Sequence, residues 1–126
     1  AMALRLNAAL DGGFTIPPES DATVEHVLPR NVHEDSHWMI TWPDPAKRRE
    51  QCDTLGNFVL LTNKVNQKAD RLDYRAKKEV YFNGGGGADF ALTRDLMDQD
   101  AWTPEVVRKR TERLAEILAE EWNLLA

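Results

Sequence analysis

A chain of 126 residues, 42% hydrophobic and 29% charged, fits one hydrophobic core of ordinary globular composition, which leaves no room for a fibrous, low-complexity or two-domain protein. Its one cysteine, Cys52, excludes an intramolecular disulfide and any zinc ribbon, so a reducing, cytoplasmic setting is expected and any metal should take oxygen and imidazole ligands. No apolar run nears the roughly 18 residues that span a bilayer and no signal peptide opens the chain, so no membrane partner is expected; the net charge of −5 argues mildly against a nucleic-acid binder without a local basic face.

Ala1-Met2 reads as an expression scar and Ala3 to Leu10 as the tail of a helix, so the expectation is one domain over residues 1–126, the C-terminal part of a larger protein. Gly12-Gly13 and Pro17-Pro18 mark a loop. Thr23 to Leu28 is a short β-branched run closed by Pro29, which predicts a strand. Two short helices are expected between His33 and Thr54. Trp38 and Trp42, four apart, share a face, and Asp44-Pro45 supplies an N-cap with proline in the first helical position. Leu55 to Thr62 holds a second strand entered by a Gly56-Asn57 turn.

A helix follows from about Asn63, and Asp70 is positioned to cap a second helical piece through Arg75 to Tyr81. Gly84 to Gly87 is a loop without the pattern of a phosphate-binding loop. Thr93 can cap a short helix. Thr103-Pro104-Glu105 opens the clearest helix, whose apolar positions Val107, Leu114, Ile117, Leu118, Trp122 and Leu125 should face the core. The order of elements predicts an α+β fold with a small antiparallel hairpin.

Glu25-His26, at the end of the first strand, is the informative pair. A neutral imidazole can take a proton from water near pH 7, and a carboxylate beside it can hold a hard divalent cation. Adjacent residues on a flat strand point to opposite faces; the two serve one site only if the strand twists or breaks, as Pro29 allows. Downstream, Asn66 falls in the first turn of the helix after the second strand, where its amide oxygen can complete a hard ligand set. Asn57, at the turn before that strand, can brace the loop. From Lys64 to Lys78 six basic residues face two acidic ones, a local charge of +4 on an acidic body. His33 and His37 lack a metal-binding arrangement and read as surface, the four tryptophans read as core rather than base-stacking platforms, and Cys52 reads as inert.

A strand with Glu-His, a Gly-Asn turn, a second strand and a helix with Asn resembles the HNH nucleases, with His26, Asn57 and Asn66 at the three positions. The ordered set TVEHVLPRN, LGNFVLLTNKVNQKADRLDYRAKK, ALT and W-TPEVVRKRTERLAEILAEEW is similar, over nearly the whole chain, to the C-terminal domain of GmrSD-type restriction enzymes. The resemblance implies a ββα-metal (HNH) core with additional packed helices. It implies His26 as general base, Asn57 as the residue that fixes the loop, and Glu25 and Asn66 as ligands of one Mg²⁺ or Mn²⁺. It further implies Lys77 as a phosphate contact, DNA as substrate, restriction of foreign or modified DNA, and an upstream nucleotide-hydrolysing domain in the same protein. Two departures stand out: the last position is Asn rather than His, and Asp70 sits where relatives often carry an amide. Steering of the DNA backbone falls to Lys64, Lys68, Lys77 and Lys78. A non-catalytic module that keeps the fold and binds nucleic acid or a neighbouring domain is the alternative.

Overall fold

β-branched and aliphatic residues dominate the two segments that pair. In the computed structural model, which describes residues 2–10, 22–83 and 89–125, β1 (Ala22–His26) and β2 (Phe58–Thr62) form an antiparallel ladder with Glu25 opposite Val59 and His26 opposite Phe58. The first strand stops two residues short of the expected end. The second strand is entered through the expected Gly56-Asn57 turn, which the chain makes as a 3-10 turn over Leu55–Asn57. The expected loops at Gly12-Gly13, Pro17-Pro18 and Gly84 to Gly87 lie outside the described residues, as does Ala1.

Seven helices surround the pair among the described residues: α1 (Met2–Leu10), α2 (Trp38–Thr41), α3 (Pro45–Cys52), α4 (Asn63–Ala69), α5 (Tyr74–Phe82), α6 (Ala91–Arg94) and α7 (Pro104–Leu125). The fold class is α+β, as expected. Asp44 caps α3 by accepting from the Ala46 amide at 2.9 Å, ahead of Pro45. The Thr62 hydroxyl caps α4 where it leaves β2, and Thr103 caps α7 through the Val106 amide. These are the short polar side chains that satisfy orphan amides at a helix start.

Two of the expected caps are corrected. Asp70 starts no helix: α4 ends at Ala69, and Asp70 turns the chain at φ 35° and ψ −115°, a region an L-residue rarely adopts. The helix α5 begins after Asp73, whose carboxylate accepts from the distant amide of His37. Thr93 lies inside α6, and its hydroxyl bonds both the amide and the carbonyl of Leu60. It thereby satisfies the outer edge of β2, which has no strand neighbour among the described residues.

The strand alternation splits the core. Val59 and Leu61 join Val27, Leu28, Trp38, Trp42, Tyr74, Tyr81, Trp102 and Val107 on one side. Leu60 packs on the other side with Ala3, Leu6, Leu92 and Leu114. Trp38, Trp42 and Trp102 are core residues, as expected, and the indoles of Trp42 and Trp102 donate to the Trp102 carbonyl and the Asn57 side chain. Trp122 is not: it is 67% exposed, with the Arg5 guanidinium of α1 over its ring.

Buried Arg110 ties α7 to the hairpin. It donates to the carbonyls of Gly56 and Phe58, both at 2.9 Å, and of Leu92 at 2.7 Å, while Asp95 balances its charge at 3.1 Å. Gly56 lies so close to Val107 and Thr111 that a Cβ would overlap their backbone, so glycine is required there by proximity rather than by backbone angle.

Candidate active site

Where β1 ends the chain bends, and Glu25 and His26 both reach an open cleft of about 620 Å³. Pro29, Arg30 and Asn31 form its near wall. Asn63, Asn66, Gln67, Asp70 and Arg71 from α4 and the following turn form the far wall. Positions 63, 66, 67 and 70 recur at helical spacing, so one face of α4 fronts the cleft. Three of the expected site residues, Glu25, His26 and Asn66, therefore meet in one depression.

Within the cleft the pair divides between two networks, as neighbours on a strand must. Glu25 is buried, and its Oε2 accepts from Lys77 Nζ at 3.0 Å and from the Tyr81 hydroxyl at 2.8 Å. Burial pushes its carboxyl above the ordinary carboxylate range, with the Lys77 charge pulling it back. His26 is partly exposed. Its Nε2 stands 2.9 Å from Asp53 Oδ1, and its ring meets Phe58 edge to face at 5.0 Å. The His26 hydrogen bond holds the Asp53 carboxyl below its usual range; an ionised carboxylate can only accept, so the imidazole is the donor. That places the Nε2 hydrogen toward Asp53 and leaves the ring lone pair on Nδ1.

Asn57 braces the site and makes no contact with the histidine ring nitrogens. Fully buried, its Oδ1 accepts from the Leu28 amide at 2.8 Å and the Trp102 indole at 2.9 Å. Its Nδ2 donates to the Leu28 carbonyl at 2.9 Å and the Cys52 carbonyl at 2.8 Å. One amide thus clamps the residue two after His26 to the residue before Asp53. Its amide is spent on the frame behind the cleft rather than on the cleft itself.

Asn66 Nδ2 donates to Thr23 Oγ1 at 2.9 Å and to the Val24 carbonyl at 3.1 Å. These bonds fix which end of the amide is which. Its Oδ1 and the second oxygen of Glu25 have no hydrogen-bond partner among the described residues, and neither is a buried orphan. Both are hard oxygens of residues that line the open cleft, the donor chemistry that a small divalent ion takes.

The lysines are placed otherwise than expected. Lys77 is buried to 0% exposure, its ammonium held by Glu25 and by the His26 carbonyl at 2.9 Å, and it cannot be a phosphate contact. Burial draws its ammonium below the usual lysine range, with Glu25 opposing. Lys78 donates to the carbonyls of Met97 and Gln99. Lys64 and Lys68 line a separate groove between α4 and α5, on the helix face next to the one that carries Asn66. None of the four lines the cleft; Arg30 and Arg71 do.

Sequence reasoning missed Asp53, Tyr81, Arg30 and Arg71 as site residues. Asp53 and Tyr81 reach the site only through tertiary contacts with partners 27 and 56 residues away. Arg30 was open to inference, four residues after His26. Arg71 was open too, one helical turn and one residue beyond Asn66. His33 and His37 are exposed, as expected, and belong to no metal-binding group among the described residues. Among the described residues no helix is long and apolar enough to cross a membrane.

No match was found among the curated proteins or the solved structures compared with the chain. The family model for GmrSD restriction endonucleases, C-terminal domain, matches residues 2–117. With 116 of 126 residues inside that match, the chain belongs to the family of C-terminal domains of GmrSD restriction endonucleases.

Proposed function

We propose that this domain hydrolyses DNA phosphodiester bonds, in restriction of foreign or modified DNA, with His26 as the general base. The observation that carries the reading is the meeting of Glu25, His26 and Asn66, from a strand end and a helix face, in one open cleft with two arginines. The family's printed description as restriction endonucleases supports the choice of DNA.

His26 takes the proton of the attacking water on Nδ1, while Asp53 accepts from Nε2 and balances the imidazolium as it forms. Glu25 and Asn66 would hold one Mg²⁺ or Mn²⁺, which when bound supplies charge stabilisation at the scissile phosphate and the leaving oxygen. Lys77 and Tyr81 fix the Glu25 carboxylate through one oxygen and leave the other for the ligand role. Arg30 and Arg71 meet the phosphates beside the reaction, and Lys64 and Lys68 carry the strand onward along α4. By its family resemblance the domain works alongside an upstream nucleotide-hydrolysing domain of the same protein.

The test is plasmid nicking with Mg²⁺ or Mn²⁺, before and after EDTA. The parent should cut only with the ion. His26→Ala should lose about 10²–10⁴-fold in rate, the usual worth of positioned acid–base catalysis, with an unchanged melting temperature. A destabilised but fully active His26→Ala would end this reading.

A second reading, a nucleic-acid-binding or interdomain module without catalysis, is favoured by the buried Glu25–Lys77 pair, since a carboxylate already paired needs no metal. It requires DNA binding without any ion-dependent cutting by the parent, in the presence of Mg²⁺ and of Mn²⁺.

A further inference from the structure

His26 also belongs to a second set of donors, with Cys52 and Asp53. His26, Cys52 and Asp53 each bring one ligand atom to a point where all three lie within 4.8 Å of one another. They come from two places in the chain, the end of β1 and the end of α3. The Asn57 clamp on Leu28 and Cys52 holds those two places together.

The chemistry of this set differs from that of Glu25 and Asn66. Imidazole, thiolate and carboxylate are the zinc donors, whereas Mg²⁺ prefers oxygen alone. Three donors at the usual ~2.0–2.3 Å from a zinc ion stand roughly 3–4 Å apart. The His26–Asp53 separation is already 2.9 Å, so closure needs only a small movement of the Cys52 side chain, whose one bond is a long thiol contact of 3.7 Å to the Leu28 carbonyl. Asp53 is more than half exposed and His26 partly so, which gives an ion an entry path and a water for its fourth position. Arg30 also touches Asp53, at 3.1 Å, but it is 68% exposed and free to swing into solvent.

We propose that His26, Cys52 and Asp53 form an inhibitory site for a thiophilic divalent cation of the zinc class. Binding releases the Cys52 thiol proton to solvent and makes a metal–sulfur bond. The ion takes the Nε2 lone pair of His26, so the ring's single proton moves to Nδ1, the atom that has to accept the water proton. The base is disabled without any change at Glu25 or Asn66. Inhibition therefore cannot be relieved by excess Mg²⁺ and is relieved by a chelator followed by Mg²⁺. The site itself stands on the cluster geometry; the inhibitory effect rests on the proposed nuclease function.

Two measurements keep these apart. Co²⁺ is titrated into the whole 126-residue chain, with the thiol kept reduced, and the near-ultraviolet sulfur-to-cobalt charge-transfer band is read. The parent should show a 1:1 band that added Zn²⁺ abolishes. Cys52→Ser and Cys52→Ala should both lose the band, and Zn²⁺ affinity by calorimetry should fall by at least roughly 10–100-fold. No band in the parent, or an equal band in the variants, would overturn the site whatever the nuclease assay gives. In nicking assays with saturating Mg²⁺, micromolar Zn²⁺ should stop the parent and spare Cys52→Ser, whose rate without Zn²⁺ matches the parent. Equal Zn²⁺ sensitivity of the two would overturn the inhibitory role. A parent inactive under all conditions would count against the nuclease reading and leave the cobalt result standing.

Discussion

Lys77 shows how far a single side chain can depart from what its neighbours suggest. Among six basic residues in fifteen positions it is expected to meet phosphate, yet among the described residues it is the one lysine that the fold encloses completely. The ammonium neutralises Glu25 and satisfies the carbonyl of His26, so it sets both the charge and the position of the cleft's floor. Removing one partner of a buried pair strands the other charge. Lys77→Met should therefore cost about 3–5 kcal/mol in urea unfolding, far more than Lys64→Met or Lys68→Met on the surface. Adding Glu25→Gln to Lys77→Met should return part of the loss, because no charge is then left unpaired. A Lys77→Met variant as stable as the parent would show that the pair has little structural weight. The bracing role of Asn57 was legible because a Gly-Asn pair before a strand announces a turn. The Asp53 partner of His26 was not, since nothing local to either residue specifies the other.

Helices and turns were legible wherever a local rule decides the outcome. Asp44-Pro45 and Thr103-Pro104 each start a helix as capping chemistry requires, and the apolar spacing of α7 puts Val107 and Leu114 in the core. The rules failed where long-range bonding competes for the same side chain. Thr93 serves the edge of β2 instead of its own helix, and Asp73 serves His37. Arg110 lies on the buried stripe of α7 although charge alone would put it outside. Two variants test elements directly. Gly56→Ala forces a methyl into the backbone of α7 and should destabilise by about 3 kcal/mol, the upper end for overpacking; a change below about 1 kcal/mol by urea midpoint would mean that α7 can shift aside. Asp70→Gly relieves a non-glycine residue held at positive φ. It should raise stability by about 1 kcal/mol, and a loss instead would show that the Asp70 side chain stabilises the turn.

Over the whole molecule an acidic chain presents one cleft where arginines, not lysines, border the candidate base. If DNA lies there, affinity should fall with salt by about one counterion per phosphate contact. Arg71→Ala should lower that slope by about one and weaken all sequences alike, whereas Lys78→Ala should leave it unchanged. Fluorescence anisotropy across a salt series decides between the two. An unaltered slope for Arg71→Ala would place the strand on another surface. The fold class was readable from the order of elements, and so was the meeting of Glu25, His26 and Asn66; the arginines beside them were not singled out, because the clustered lysines drew the phosphate path elsewhere.

The bonds around Asn57 and Gly56 also set a schedule. Their closing partners, Trp102 and Arg110, come 45 and 54 residues later in the chain. Synthesis runs from the N-terminus, so Glu25, His26, Asp53 and Asn66 are all made before the groups that lock their frame. A nascent chain halted ahead of Trp102 carries every residue of the proposed chemistry and the Asn57 amide, but lacks the indole that holds Asn57 Oδ1 and the guanidinium that ties α7 to the hairpin. On the proposed function, a cutting-competent frame is complete only once α7 has been translated.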